Sequence, residues 1–110
     1  MPKKIPAHIR KLMKELKEGL AKIYGDNLKA VYLYGSYARG DYREGSDVDV
    51  MVLLKRYGDY WREYHRSSDY VSDLSLKYDA TVSYILIKEN QWKEEDRPVL
   101  RNIRREGLPA

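Results

Sequence analysis

The stretch GSYARGDYREGSDVD, residues 35 to 49, places two arginines and, one residue apart, Asp47 and Asp49 between runs that are otherwise apolar. Before it stands LKAVYLYG, residues 28 to 35, a β-branched and aromatic run that reads as a strand ending at Gly35. After it, VDVMVLL, residues 48 to 54, reads as a second strand, apolar enough to be buried on both faces. The stretch therefore joins two strands. Either it is a charged hairpin lying in water, or it is a site that holds phosphates and metal ions together.

Gly35-Ser36 sits where the first strand ends, and Tyr37-Ala38-Arg39 can start a short helical turn. A glycine there lets the backbone approach a ligand closely, and the N–H groups of the turn form an anion site to which the Ser36 hydroxyl adds a donor. Gly-Ser after a strand is common and is usually only a turn. The aspartates say more. Alternation puts Asp47 and Asp49 on one face of the second strand, roughly 6.6–7 Å apart along the backbone. Two carboxylates so placed repel each other and lose hydration unless cations neutralise them, and two Mg²⁺ ions ~3.5–4 Å apart are what phosphoryl chemistry uses. Read blandly, both aspartates would sit in water where the strand frays.

The flanks supply a frame for this connection. Ile5, Ile9, Leu12, Met13, Leu16, Leu20 and Ile23 recur at spacings of three and four, which predicts a helix with one buried stripe that Gly25, Asp26 and Asn27 stop. Residues 59 to 77 carry helical spacing through Tyr60, Tyr64, Val71 and Leu74, up to Tyr78 just beyond. ATVSYILI, residues 80 to 87, reads as a third strand, and Pro98 opens a short basic helix closed by Gly107. The expected fold class is α/β: one small mixed sheet with helices packed on it, a single domain over residues 1–110.

Composition narrows the function. Charged residues at 35% and a mean hydropathy of -0.74 fit a soluble protein, and no apolar run approaches the ~20 residues of a membrane span. The start, MPKKIPAHIRKLM, runs into an amphipathic pattern without an apolar core or small-residue cleavage site, so a signal peptide is not expected and the cytoplasm is the default. The absence of cysteine excludes disulfides and thiolate metal sites. His8 and His65 have no ligand-spaced partner and read as surface or packing residues. A net charge of +4 permits nucleic acid, nucleotide or an acidic partner without demanding any. Eleven tyrosines and no phenylalanine are unusual; five aromatics between Tyr57 and Tyr70 read as half-buried core or as a partner surface.

Gly35-Ser36, ten residues, then Asp47-Val48-Asp49 resembles the nucleotidyltransferase superfamily typified by DNA polymerase beta. Ala38-Arg39-Gly40 and Ser46-Asp47 resemble its minimal, single-domain branch, and the likeness runs from the first helix to the closing RNIRREG. The resemblance implies a third metal-binding carboxylate beside the pair, for which Asp79 is the candidate, and a catalytic set of Asp47, Asp49 and Asp79 holding two Mg²⁺. It implies ATP against Gly35 and Ser36, with Arg39, or Arg43, meeting phosphate charge. Attack by a hydroxyl then transfers AMP and releases pyrophosphate. The branch is known for antitoxins that add AMP to a tyrosine of a small helical toxin of the HEPN ribonuclease family, so such a toxin is the expected partner. Nucleic acid is not expected, since members that hold it carry extra domains. The alternatives are a non-catalytic module that neutralises its partner by contact, and transfer to a small molecule or RNA. The Tyr57–Tyr70 segment and the closing helix around Arg101, Arg104 and Arg105 are the expected partner surfaces.

Overall fold

Ile9, Leu12, Met13, Leu16 and Leu20 are all buried, and they wind residues Ala7–Tyr24 into α1. The computed structural model describes the whole of residues 1–110. A single 3-10 turn, Gly25–Asn27, leads into β1 (Leu28–Tyr34), followed by the one-turn α2 (Ser36–Arg39) and β2 (Val48–Leu54). Then come α3 (Tyr60–Lys77), β3 (Val82–Lys88), α4 (Glu89–Glu94), α5 (Pro98–Glu106) and β4 (Leu108–Pro109). The sheet runs β3-β2-β1-β4, with β2 and β3 parallel and the other neighbours antiparallel. It is the small mixed sheet that the strand pattern predicts. α4 and β4 add to the predicted order, and both are too short to carry a period of their own.

Alternation sorts the sheet into two faces. Val31, Leu33, Val50, Val52, Tyr84 and Leu86 pack against α1 and α3 in the main core. On the other face Met51, Leu53 and Ile87 meet Leu100 and Ile103 of α5. α4 and α5 cover only part of that face. At its far end Asp47, Thr81 and Ser83 are exposed and Asp49 is half-buried. An open polar shelf remains there.

The tyrosines are mostly structural. Tyr57, Tyr60, Tyr64 and Tyr70 are half-buried against the main core, and within that segment Trp61 is the exposed large side chain, at 64%. The Tyr57 hydroxyl donates to the Leu86 carbonyl at 3.4 Å, and the Tyr60 hydroxyl accepts the Leu86 N–H at 3.2 Å. Both backbone groups lie on the outer side of β3, the edge strand. Beneath α3, the fully buried Ser67 hydroxyl bonds the hydroxyls of Tyr24 at 2.8 Å and Tyr84 at 3.0 Å. The Tyr70 ring fills the space above Gly19, where any Cβ would lie 2.0 Å from a ring carbon, and its hydroxyl donates to the Glu15 carbonyl. Glycine inside a helix costs up to about 1 kcal/mol. Here it lets α3 close on α1.

Candidate active site

Gly35 ends β1 with φ 77°, a left-handed value that favours glycine. Space demands glycine as well. A Cβ at residue 35 would stand 2.2 Å from Asp49 Oδ2 and 3.0 Å from its Cγ. The Gly-Ser turn and the Asp49 carboxylate are therefore in direct contact. Arg39 N–H bonds the Gly35 carbonyl and Gly40 N–H the Ser36 carbonyl, so α2 is one closed turn. Farther along, Ser46 Oγ accepts the Arg43 N–H at 2.8 Å and the Ser46 N–H returns to the Arg43 carbonyl, a tight turn that delivers the chain into Asp47.

Register shows what surrounds the pair. Asp49 lies opposite Tyr34 of β1 and Ser83 of β3, so Tyr34, Asp49 and Ser83 form one row across three strands on the same face. Thr81 stands one level out, its carbonyl accepting the Val48 N–H at 2.8 Å. Burial, and after it the Asp47 charge, pushes the Asp49 carboxyl above the ordinary carboxylate range; Arg39 pulls the other way and Glu106 adds to the rise. Burial and the Asp49 charge also raise the Tyr34 phenol, which stays a hydroxyl donor.

Glu106 is the residue in contact with this site that sequence reasoning missed. It ends α5, and its Oε1 accepts the Gly35 N–H at 3.2 Å and pairs with Arg39 Nη1 at 3.2 Å, while Arg39 Nε bonds Asp41 at 3.2 Å. Its one signal is position: a lone acid closing the basic run RNIRRE, directly before Gly107.

Asp79 is placed elsewhere. It is the one non-glycine residue with positive φ, 49°. Its N–H bonds the Leu76 carbonyl and the Ala80 N–H bonds the Ser75 carbonyl, which together make the Schellman closure of α3. β3 accordingly starts at Val82, two residues later than the apolar run suggests, and strand alternation does not reach Asp79. The residue lines a separate cleft with Gly45 and Ser46, and no three acidic or imidazole groups in the protein close on a common point. The structure thus brings together Gly35, Ser36, Arg39, Asp47 and Asp49, joins Glu106 to them, and leaves Asp79 outside. Arg43 contributes its backbone to the turn before Asp47.

A strand-end Gly-Ser turn packed on paired aspartates of the next strand defines a class, and sequence comparison names it: the nucleotidyltransferase domain family matches residues 13–106. The chain belongs to this family. Over 81 residues it is 43% identical to a candidate protein adenylyltransferase of Methanocaldococcus jannaschii, MJ0141, covering 74% of this chain and 81% of that one. Its fold is similar to that of a candidate nucleotidyltransferase of Sulfolobus solfataricus, with a TM-score of 0.67, 26% identity, and coverage of 99% and 86% of the two chains. It is also similar in fold to a chain in the complex of the tri-AMPylated Shewanella oneidensis HEPN toxin with MNT antitoxin. There the TM-score is 0.50 and the identity 18%, over 88% of this chain and 70% of that one.

Proposed function

We propose that this nucleotidyltransferase transfers AMP from magnesium-bound ATP to a protein hydroxyl, the tyrosine of a small helical HEPN toxin whose antitoxin it is. One observation carries the reading: the turn that would receive phosphate lies in contact with Asp49, leaving no room even for a Cβ between them. The donor set suits Mg²⁺. Asp47 and Asp49 are hard oxygen donors, Arg39 alone does not offset their charge together with that of Asp41 and Glu106, and Mg²⁺ typically takes one or two carboxylates and fills its shell with phosphate oxygens and water. The same excess of negative charge repels a bare triphosphate. Bound there, Mg²⁺ would supply charge neutralisation and polarise the phosphate oxygens.

In this reading Asp47 and Asp49 hold the metal, Gly35 and Ser36 receive the triphosphate, and Asp79 is not among the ligands. Arg39 is held through Nε by Asp41 and through Nη1 by Glu106, and its Nη2 protons remain for phosphate oxygen. The acceptor oxygen bonds to the α-phosphorus, the bond from that phosphorus to the bridging oxygen breaks, pyrophosphate leaves with the electron pair, and the hydroxyl proton passes to water. The M. jannaschii relative supports a protein acceptor, and the Shewanella complex supports a HEPN partner carrying AMP. A reaction that consumes ATP belongs in the cytoplasm; no helix here is long and apolar enough to cross a membrane.

The test is incubation with labelled ATP, Mg²⁺ and the co-expressed helical partner, read by intact mass. One or more AMP additions on tyrosine are expected, reduced at least about a hundredfold by Asp47→Asn or Asp49→Asn. An unmodified partner whose toxicity the Asp47→Asn variant still suppresses would replace transfer by neutralisation through contact.

A further inference from the structure

A cleft of about 660 Å³ opens beside the aspartates, walled by the end of α3 and the turn at Gly45 and Ser46. It adjoins the site without sharing a lining residue with it. Ser46 directly precedes Asp47, and Thr81, also in its lining, stands at the level of Asp47 on the neighbouring strand. The nucleotidyl-transfer chemistry does not use it.

Its lining selects among occupants. It holds no lysine or arginine, and its one carboxylate is Asp79, so it is built against a phosphate backbone, whose binding rests on cations. Its aromatic rings are Tyr37, which is 7% exposed and already stacked on Tyr42 at 4.6 Å, and the imidazole of His8 from α1. What it does offer is hydroxyls, from Ser46, Ser72 and Thr81, and an apolar anchor in Leu76, which is 81% exposed. Hydroxyls that satisfy peptide groups beside an isolated leucine suit a polypeptide, and Asp79 favours a neutral or basic one. Both walls are fixed before anything binds, by the Schellman closure of α3 and the doubly bonded turn from Arg43 to Ser46.

We propose that this cleft seats the acceptor, a neutral or basic segment of polypeptide that presents its hydroxyl at Asp47; the inference rests on the nucleotidyl-transfer reading above. The segment 57–70 and α5 are then not the primary acceptor surface.

The experiment uses the full chain, Mg²⁺ and ATP. The probes are short synthetic peptides, each with one tyrosine and with basic, neutral or acidic flanks, and a short oligoribonucleotide. The variants are Ser72→Trp, which fills the cleft, and Leu76→Ser, which removes its apolar anchor without adding charge; both positions are exposed on α3, so the fold tolerates them. Basic and neutral peptides should gain AMP in preference to acidic ones. Both variants should lower kcat/KM for peptide at least about tenfold while the affinity for magnesium-ATP stays within about twofold. Transfer unchanged in both variants overturns the proposal, as does AMP added to the oligoribonucleotide alone, or magnesium-ATP binding without transfer to any peptide. Loss of ATP affinity in Ser72→Trp would assign the cleft to the nucleotide instead. A wild-type chain that binds no magnesium-ATP would sink the underlying reading and this inference with it.

Discussion

Replacing Glu106 with alanine would leave the buried Gly35 N–H without an acceptor and Arg39 with one carboxylate in place of two. An orphaned buried amide costs about 1–3 kcal/mol, so Glu106→Ala should lower the unfolding free energy by that order. Glu106→Gln keeps an acceptor oxygen and should recover most of the loss; equal destabilisation in the two variants, measured by urea unfolding, would mean that the Gly35 bond contributes nothing. Legibility at this scale followed sequence distance. Gly35, Ser36, Asp47 and Asp49 fall within fifteen residues and their chemistry could be read together. Glu106 reaches Gly35 across 71 positions, from a run whose basic composition hides it.

Helix α3 shows how an element can claim a residue that a motif seems to want. Asp79 precedes an apolar run, and a carboxylate there looks ready for the sheet. Its left-handed backbone instead closes the helix, a conformation that aspartate tolerates and glycine adopts without cost. Asp79→Gly should therefore raise stability by up to about 1 kcal/mol, the relief of left-handed strain exceeding the added chain entropy of glycine, with magnesium affinity retained. Loss of metal binding in that variant would restore Asp79 to the metal site. The same helix is tied to α1 by Glu15, which accepts from Lys77 at 2.8 Å and from the Tyr78 hydroxyl at 2.9 Å. These two partners hold the Glu15 carboxyl below its ordinary value of 4.5, so the unfolded chain takes up its proton first. The stabilisation is complete above the ordinary value and is lost as pH falls through the lowered one. Melting curves across the acid limb should show Glu15→Gln less stable than wild type near neutrality, the two converging in strong acid. α1 was readable because its period is unbroken, β1 because its run is β-branched and aromatic, and β2 because its run is apolar almost throughout. The start of β3 was not, because the Schellman turn consumes residues whose composition still suits a strand.

At the scale of the whole molecule, the two strands flanking the quoted stretch fix the sheet, and α5 determines how much of its second face stays open. The open part is the shelf at Asp47, Asp49, Thr81 and Ser83. Alternation along each strand foretold its polarity, but its exposure depends on where α5 stops, which no local pattern records. The abundance of tyrosine has a similar origin. A phenylalanine at residue 57 or 60 would pack equally well against the core yet could not bond the Leu86 carbonyl or N–H. At the opposite edge β4 is only two residues long and ends in Pro109, which has no N–H to offer. Bare strand edges recruit the edges of other molecules, and from there fibrils and precipitates grow. The Tyr57→Phe, Tyr60→Phe double variant should keep its helical circular dichroism, yet scatter light progressively on standing at high concentration where wild type stays clear. If both solutions stay clear, the hydroxyls are not what guards that edge. If only the variant clouds, two phenolic oxygens are what keep a crowded solution of this protein from self-assembling.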